Sequence, residues 1–134
     1  MSDNYISIVP VEEEYPYNQK KSQAILEWFI SRDIVKPNKS DCVLGADYGY
    51  SVSNGASKVV KYPEELPFDL ITNGLEIVTE SQVFDPGEFY EEGQELPESN
   101  LGFIFWNWPE LSEDFINDLE LRLGMKVHVI PGRI

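Results

Sequence analysis

The stretch Leu101-Gly102-Phe103-Ile104-Phe105-Trp106-Asn107-Trp108 decides the fold class. Read as an extended strand, it sets Leu101, Phe103 and Phe105 on one side and Ile104, Trp106 and Trp108 on the other. Apolar character on both sides needs cover on both faces of a sheet, so the strand is central. Past Pro109, Ser112 suits a helix N-cap, and Phe115, Ile116, Leu119 and Leu123 recur at helical spacing. Glu113 and Asp114 fall in the first turn, where the positive end of the helix dipole favours acids. Gly124 is a terminator, and Lys126-Val127-His128-Val129-Ile130 returns as a strand. On this reading a strand, helix and strand give the carboxyl half its own core.

Upstream, Leu70-Ile71-Thr72, Asn73-Gly74 and Leu75-Glu76-Ile77-Val78-Thr79 predict a hairpin, because Asn-Gly suits the positive φ values of a type I′ turn. Gln82-Val83-Phe84 extends the sheet beyond a kink at Glu80-Ser81. Tyr5-Ile6-Ser7-Ile8-Val9 stops at Pro10, as a first or edge strand would. With Asn18 as N-cap, Ala24, Ile25, Trp28, Phe29 and Arg32 stack along a helix of about four turns, widened by Leu26 and Ile30. Pro37 excludes its continuation. Residues 37–57 read as a loop with at most a short strand at Cys42-Val43-Leu44, and Ser57 to Tyr62 suits either a short helix or a strand. From Asp85 to Asn100 the chain is rich in Pro, Gly and Glu, a long loop with Phe89 and Tyr90 in its middle. Trp28, Trp106 and Trp108 are assigned to the core or its margin. The expectation is an α+β fold: a single compact domain over 1–134, with two main helices packed on a mixed or antiparallel sheet of four to six strands.

Charge separates this chain from most function classes. Its 24 acids and 10 Lys and Arg give a formal charge of −14, yet between Pro63 and Glu120 there are 16 carboxylates and no Lys or Arg. The rest of the chain holds 8 acids and all 10 bases. Such a molecule repels nucleic acid and anionic lipid and attracts a basic protein. One cysteine, Cys42, cannot form an internal disulfide, Met1-Ser2-Asp3-Asn4 lacks a basic secretory start, and no purely apolar run exceeds the four residues Phe103 to Trp106. A cytoplasmic location is expected, with no membrane association.

Catalytic and metal chemistry find little support. His128 and Cys42 are the only residues of their types, so a zinc site needs two added carboxylates, and no EF-hand spacing occurs. A serine mechanism has only His128 to offer as general base and Gly-x-Ser-x-Gly is absent, and Gly55-Ala56-Ser57-Lys58 does not satisfy the P-loop rule. No cofactor is expected. Phe89 and Tyr90, set among acids in a loop, suit aromatic anchors ringed by charge, or else a lid on Trp106 or Trp108. The candidate partner-binding residues are therefore Asp85, Glu88, Phe89, Tyr90, Glu91, Glu92, Glu95 and Glu98.

Small size, strong acidity and the absence of a catalytic signature resemble bacterial immunity proteins, which neutralise a cognate toxin by tight binding. Ile25-Leu26-Glu27-Trp28, Ser40-Asp41-Cys42-Val43-Leu44-Gly45 and Leu123-Gly124 with the following strand are similar to segments of small uncharacterised bacterial proteins. This is a resemblance of composition and texture, and it assigns no site residue. It implies a non-enzymatic immunity protein or inhibitor that binds a basic partner through an acidic surface. The competing expectations are an enzyme whose carboxylates converge in a pocket and a structural subunit that self-associates into a homo-oligomer.

Overall fold

A computed structural model of the chain describes residues 3–40, 49–66 and 73–134. In chain order the elements are β1 (Asn4–Pro10), α1 (Asn18–Ser31), β2 (Val35–Ser40), β3 (Gly49–Val52), β4 (Gly74–Val78), β5 (Gln82–Val83), β6 (Glu98–Ser99), β7 (Gly102–Trp106), α2 (Glu113–Leu123) and β8 (Val127–Arg133). Short 3₁₀ turns span Asn54–Lys58 and Pro63–Glu65. Six strands form an antiparallel sheet in the order β2-β3-β4-β7-β1-β8, while β5 and β6 pair separately. The α+β architecture is the expected one, and β7 is a central strand. No helix among the described residues is long and apolar enough to cross a membrane.

Strand alternation divides the core in two. Ile8, Phe103, Phe105, Leu75, Tyr50 and Val52 face the helices, where they meet Ile25, Phe29, Phe115 and Leu119. Phe29 sits at the centre of this layer, within 6.2 Å of the rings of Phe103, Phe105 and Phe115. The opposite face carries Tyr5, Val9, Val78, Ile104, Trp106 and Ile130 and is closed by Phe84. A Cβ on Gly102 would overlap the Phe84 ring, and one on Gly132 would overlap Tyr5, so two glycines make shelves for these aromatics. Since β1 lies between β7 and β8, the carboxyl half does not form a separate core.

Several local expectations are corrected. β1 is an interior strand, and Pro10 is tolerated because it ends the pairing opposite Val127. Tyr17, with φ 54°, occupies the cap position of α1. Asn18 is instead the first helical residue, and its Nδ2 donates to the Thr79 and Asn100 carbonyls at 2.8 and 2.7 Å. Ala24 is exposed, and Arg32 reaches the apolar layer only by laying its guanidinium 5.8 Å from the Trp28 ring. Within residues 37–57, β2 runs through Pro37 because β2 is an edge strand and its register is irregular between Val35 and Lys39. Cys42-Val43-Leu44 and Leu70-Ile71-Thr72 lie outside the described residues.

Gly74 has no positive φ and starts β4 paired with Ser51 and Trp106, so the Asn-Gly step is not a type I′ hairpin turn. Gln82-Val83 pairs with β6 and does not join the main sheet. The ambiguous Ser57–Tyr62 segment leaves a 3₁₀ turn and makes a single bridge, Val60 to Leu111. Trp108 is the most informative case. Asn107 adopts φ 58°, which turns the chain over, so Trp108 packs edge-on against Phe105, 5.1 Å away on the helix side. Asn tolerates this left-handed conformation. Its side chain also keeps the ladder to β1 closed: Oδ1 accepts from Asn4 N, and Nδ2 donates to Asp3, both at 3.0 Å.

The α2 boundaries follow the sequence signals. Ser112 Oγ accepts from Phe115 N at 3.2 Å, and Gly124 closes the helix with φ 76°. β8 continues past Ile130 to Arg133 because Pro131 points its missing N–H away from β1. The pairing that places Ile134 N on Asp3 and Arg133 N on Pro86 sets that alternation.

Candidate functional site

The acidic loop is built on a structured base. β5 and β6 pair Gln82 with Ser99 and Val83 with Glu98, and Phe84 N donates to the Pro97 carbonyl at 2.9 Å. Asp85 Oδ1 accepts from Gly87 N at 2.8 Å, a local turn of the kind Asp favours. Tyr5 Oη donates to the Asp85 carbonyl at 3.0 Å. Burial, and then the Asp85 charge, raises the Tyr5 phenol above its ordinary pKa and preserves this donor. The loop then clips onto the end of β8, where Glu88 N donates to Arg133 O at 2.8 Å and Arg133 N to Pro86 O at 3.1 Å. Gly87 is required there, since its φ is 58° and a Cβ would strike the Arg133 carbonyl.

Beyond this clip, Phe89 and Tyr90 stand 48% and 50% exposed. They do not form a lid: Tyr5 lies 4.9 Å from Trp106, Phe84 shares its cluster, and Phe105 covers Trp108. Phe89 instead walls a partly enclosed groove of 380 Å³ with Ile6, Leu111, Ile116, Val129 and Pro131. The groove lies at the end of the β1–β8 pair, beside the start of α2. Val129, in its wall, is 43% exposed.

At the loop's other end, Glu98 meets the acidic arm Glu12-Glu13-Glu14. Ser99 Oγ donates to Glu12 O at 2.8 Å, and Asn100 N to Glu13 O at 3.1 Å. A hydrogen bond between the Glu13 and Glu98 carboxyls, then repulsion between their charges, holds Glu13 above its ordinary pKa. Folding therefore brings two acids together although they lie far apart in the chain. Because the folded-state pKa is raised, the arm is most comfortable below the ordinary carboxyl range, and repulsion grows as pH rises through the raised value. Glu98→Gln is expected to move Glu13 titration to lower pH, as followed by carboxyl NMR. An unchanged Glu13 curve would mean that the two groups do not interact.

The eight candidate residues thus have different roles. Asp85 organises a turn and Glu88 lies 3.6 Å from Arg133. Glu91, Glu92 and Glu95 are exposed, with Gln94 Oε1 accepting from Glu91 N. Among the described residues, the remaining acids of the 63–120 stretch do not share one face. Glu76 lies on the side opposite the helices, bonded to Trp106 Nε1 at 3.0 Å, whereas Glu113 and Asp114 open α2. Glu110 pairs with Lys61 at 3.7 Å and Glu120 with Lys126 at 3.6 Å. The loop and the 12–14 arm bring Glu12, Glu13, Glu14 and Glu98 to one place, joined by the bonds from Ser99 and Asn100.

Sequence reasoning missed the groove walls Ile116, read there only as part of the helical spacing of α2, and Val129 and Pro131 of β8, and it missed the arm at Glu12–Glu14. It also missed Tyr17, which is 84% exposed in a left-handed conformation beside Lys20 and Lys21; tyrosine carries no signal for that geometry. His128 is exposed on β8, and Cys42 lies outside the described residues. Among the described residues, no group of three His, Cys, Asp or Glu side chains could hold a metal ion. No protein-family model, curated protein or solved structure matches the chain significantly.

Proposed function

We propose that this protein is a non-enzymatic binding module of the immunity or inhibitor type. It takes a basic protein partner on the surface made by the 12–14 arm and the 85–98 loop. The observation that carries this reading is the junction of the acidic arm and loop, where Ser99 Oγ on Glu12 O and Asn100 N on Glu13 O set Glu13 beside Glu98. The fold juxtaposes two like charges, and neither belongs to a salt bridge among the described residues. Such an arrangement costs stability in the free protein and is relieved when a cation arrives. Partner binding then favours the ionised form of Glu13, so affinity rises as pH rises through its raised pKa.

Two observations favour this reading over its rivals. The raised carboxyl is in the open and not in a concave site, which is a poor setting for a general acid. Self-association by strand pairing is opposed at both sheet edges. β2 carries Lys36, Pro37 and Lys39, while on β8 the Val127 N–H is taken by Glu120 Oε2 at 3.0 Å and Pro131 has none. Affinity capture from source cells at low salt, with elution at high salt, tests the proposal. A basic protein is expected in the salt eluate, and a capture without one counts against the reading.

A further inference from the structure

The groove beside Phe89 joins the acidic loop to an apolar cavity, and we infer that it receives one large apolar side chain from a Lys/Arg-flanked segment of the partner. This rests on the binding-module reading above and adds where the anchor enters. Six of the groove's walls are apolar, and its volume of 380 Å³ falls within the range of small binding pockets. Phe89, half-exposed at the wall, is followed by Tyr90 and flanked in the chain by Glu88, Glu91 and Glu92. Glu110 is a further acidic member of the lining.

Charge complementarity selects the occupant. An apolar side chain gains by leaving water, and cationic neighbours on the same segment meet Glu110 in the lining and Glu88 next to Phe89. The pairs Glu88–Arg133 and Glu110–Lys61, at 3.6 and 3.7 Å, are exposed at both ends. Exposed pairs of this kind contribute little, so an incoming guanidinium or ammonium can take over either acid. An acidic or neutral apolar segment gains only the first of these contributions.

The test is an NMR titration of the full chain with three short synthetic peptides: a Lys/Arg peptide with a central Phe, the same peptide with a central Ala, and a Glu-rich peptide with the central Phe. The basic Phe peptide is expected to bind about tenfold tighter than the basic Ala peptide, consistent with burial of an aromatic side chain. Its shifts should centre on Phe89, Ile116 and Val129. Val129 is exposed, so Val129→Lys should leave the fold's spectrum intact and abolish the Phe preference while the basic peptides still bind. Equal binding of the two basic peptides, or a preference that survives in Val129→Lys, overturns the groove assignment and leaves the acidic surface standing. Equal binding of the Glu-rich and basic Phe peptides overturns the basic-partner reading as well. Groove shifts that appear on concentrating the free protein assign the groove to a second copy and overturn the inference, and no binding by any peptide also overturns it.

Discussion

Phe84→Ala is expected to lower folding stability by about 3–5 kcal/mol, the cost of emptying a large buried aromatic site. The side chain is 2% exposed and closes the sheet face opposite the helices, in a cluster with Tyr5, Trp106 and Ile130. Its ring occupies the space left by the absent Gly102 side chain, so no neighbour can readily refill the hole. A domain of this size is held together by roughly 5–15 kcal/mol in all. The loss should therefore appear as a fall of roughly 10–20 °C in Tm by circular dichroism. It should also loosen the loop base, because Phe84 N is bonded to Pro97 O. Faster hydrogen exchange at Phe84 and Ser99 than at Phe29 would locate the damage there. A Tm within a few degrees of wild type would mean that Phe84 caps a surface and not a second core layer.

The contrast between Phe84 and the α2 region shows what the sequence makes legible. Ser112, the Phe115–Leu123 periodicity and Gly124 are local signals, and the helix they specify forms between them. Leu101–Trp106 is legible because apolar residues on both faces leave few options besides a central strand. Failures occur where distant partners decide. Asn73-Gly74 has the local chemistry of a turn, yet Gly74 is claimed by β3 and β7. Pro37 argues against a strand until the strand proves to be at an edge and irregular there. Trp108 changes face because one Asn adopts a positive φ that its alternation pattern does not announce. The site divides likewise: exposed Phe89 and Tyr90 are readable from their acidic loop, whereas the groove beside them exists only because β1, β8 and α2 converge there.

With a captured basic partner in hand, the combined reversal of Glu88, Glu91, Glu92 and Glu95 to Lys is expected to slow association by tenfold or more at low salt. Each reversal adds two charges, so the four together move the formal charge from −14 to −6. Most of the protein's long-range negative field survives, but its local maximum at the loop is inverted. Steering depends on the local potential where the partner first arrives, so the rate should fall far more than net charge suggests. Exposed charges are screened over about 8 Å at physiological ionic strength, and the wild-type and reversed rates should converge as salt is raised. Reversing Glu27, Glu64 and Glu65, exposed acids outside the loop, the arm and the groove lining, moves the formal charge from −14 to −8, and it should slow association far less at every salt concentration. The dissociation rate separates encounter from anchoring. If the loop acts chiefly in steering, it should change less than the association rate, whereas loss of the Phe89 groove should act mainly on dissociation. Equal slowing by the two sets of reversals would assign capture to overall charge and remove the loop's special role.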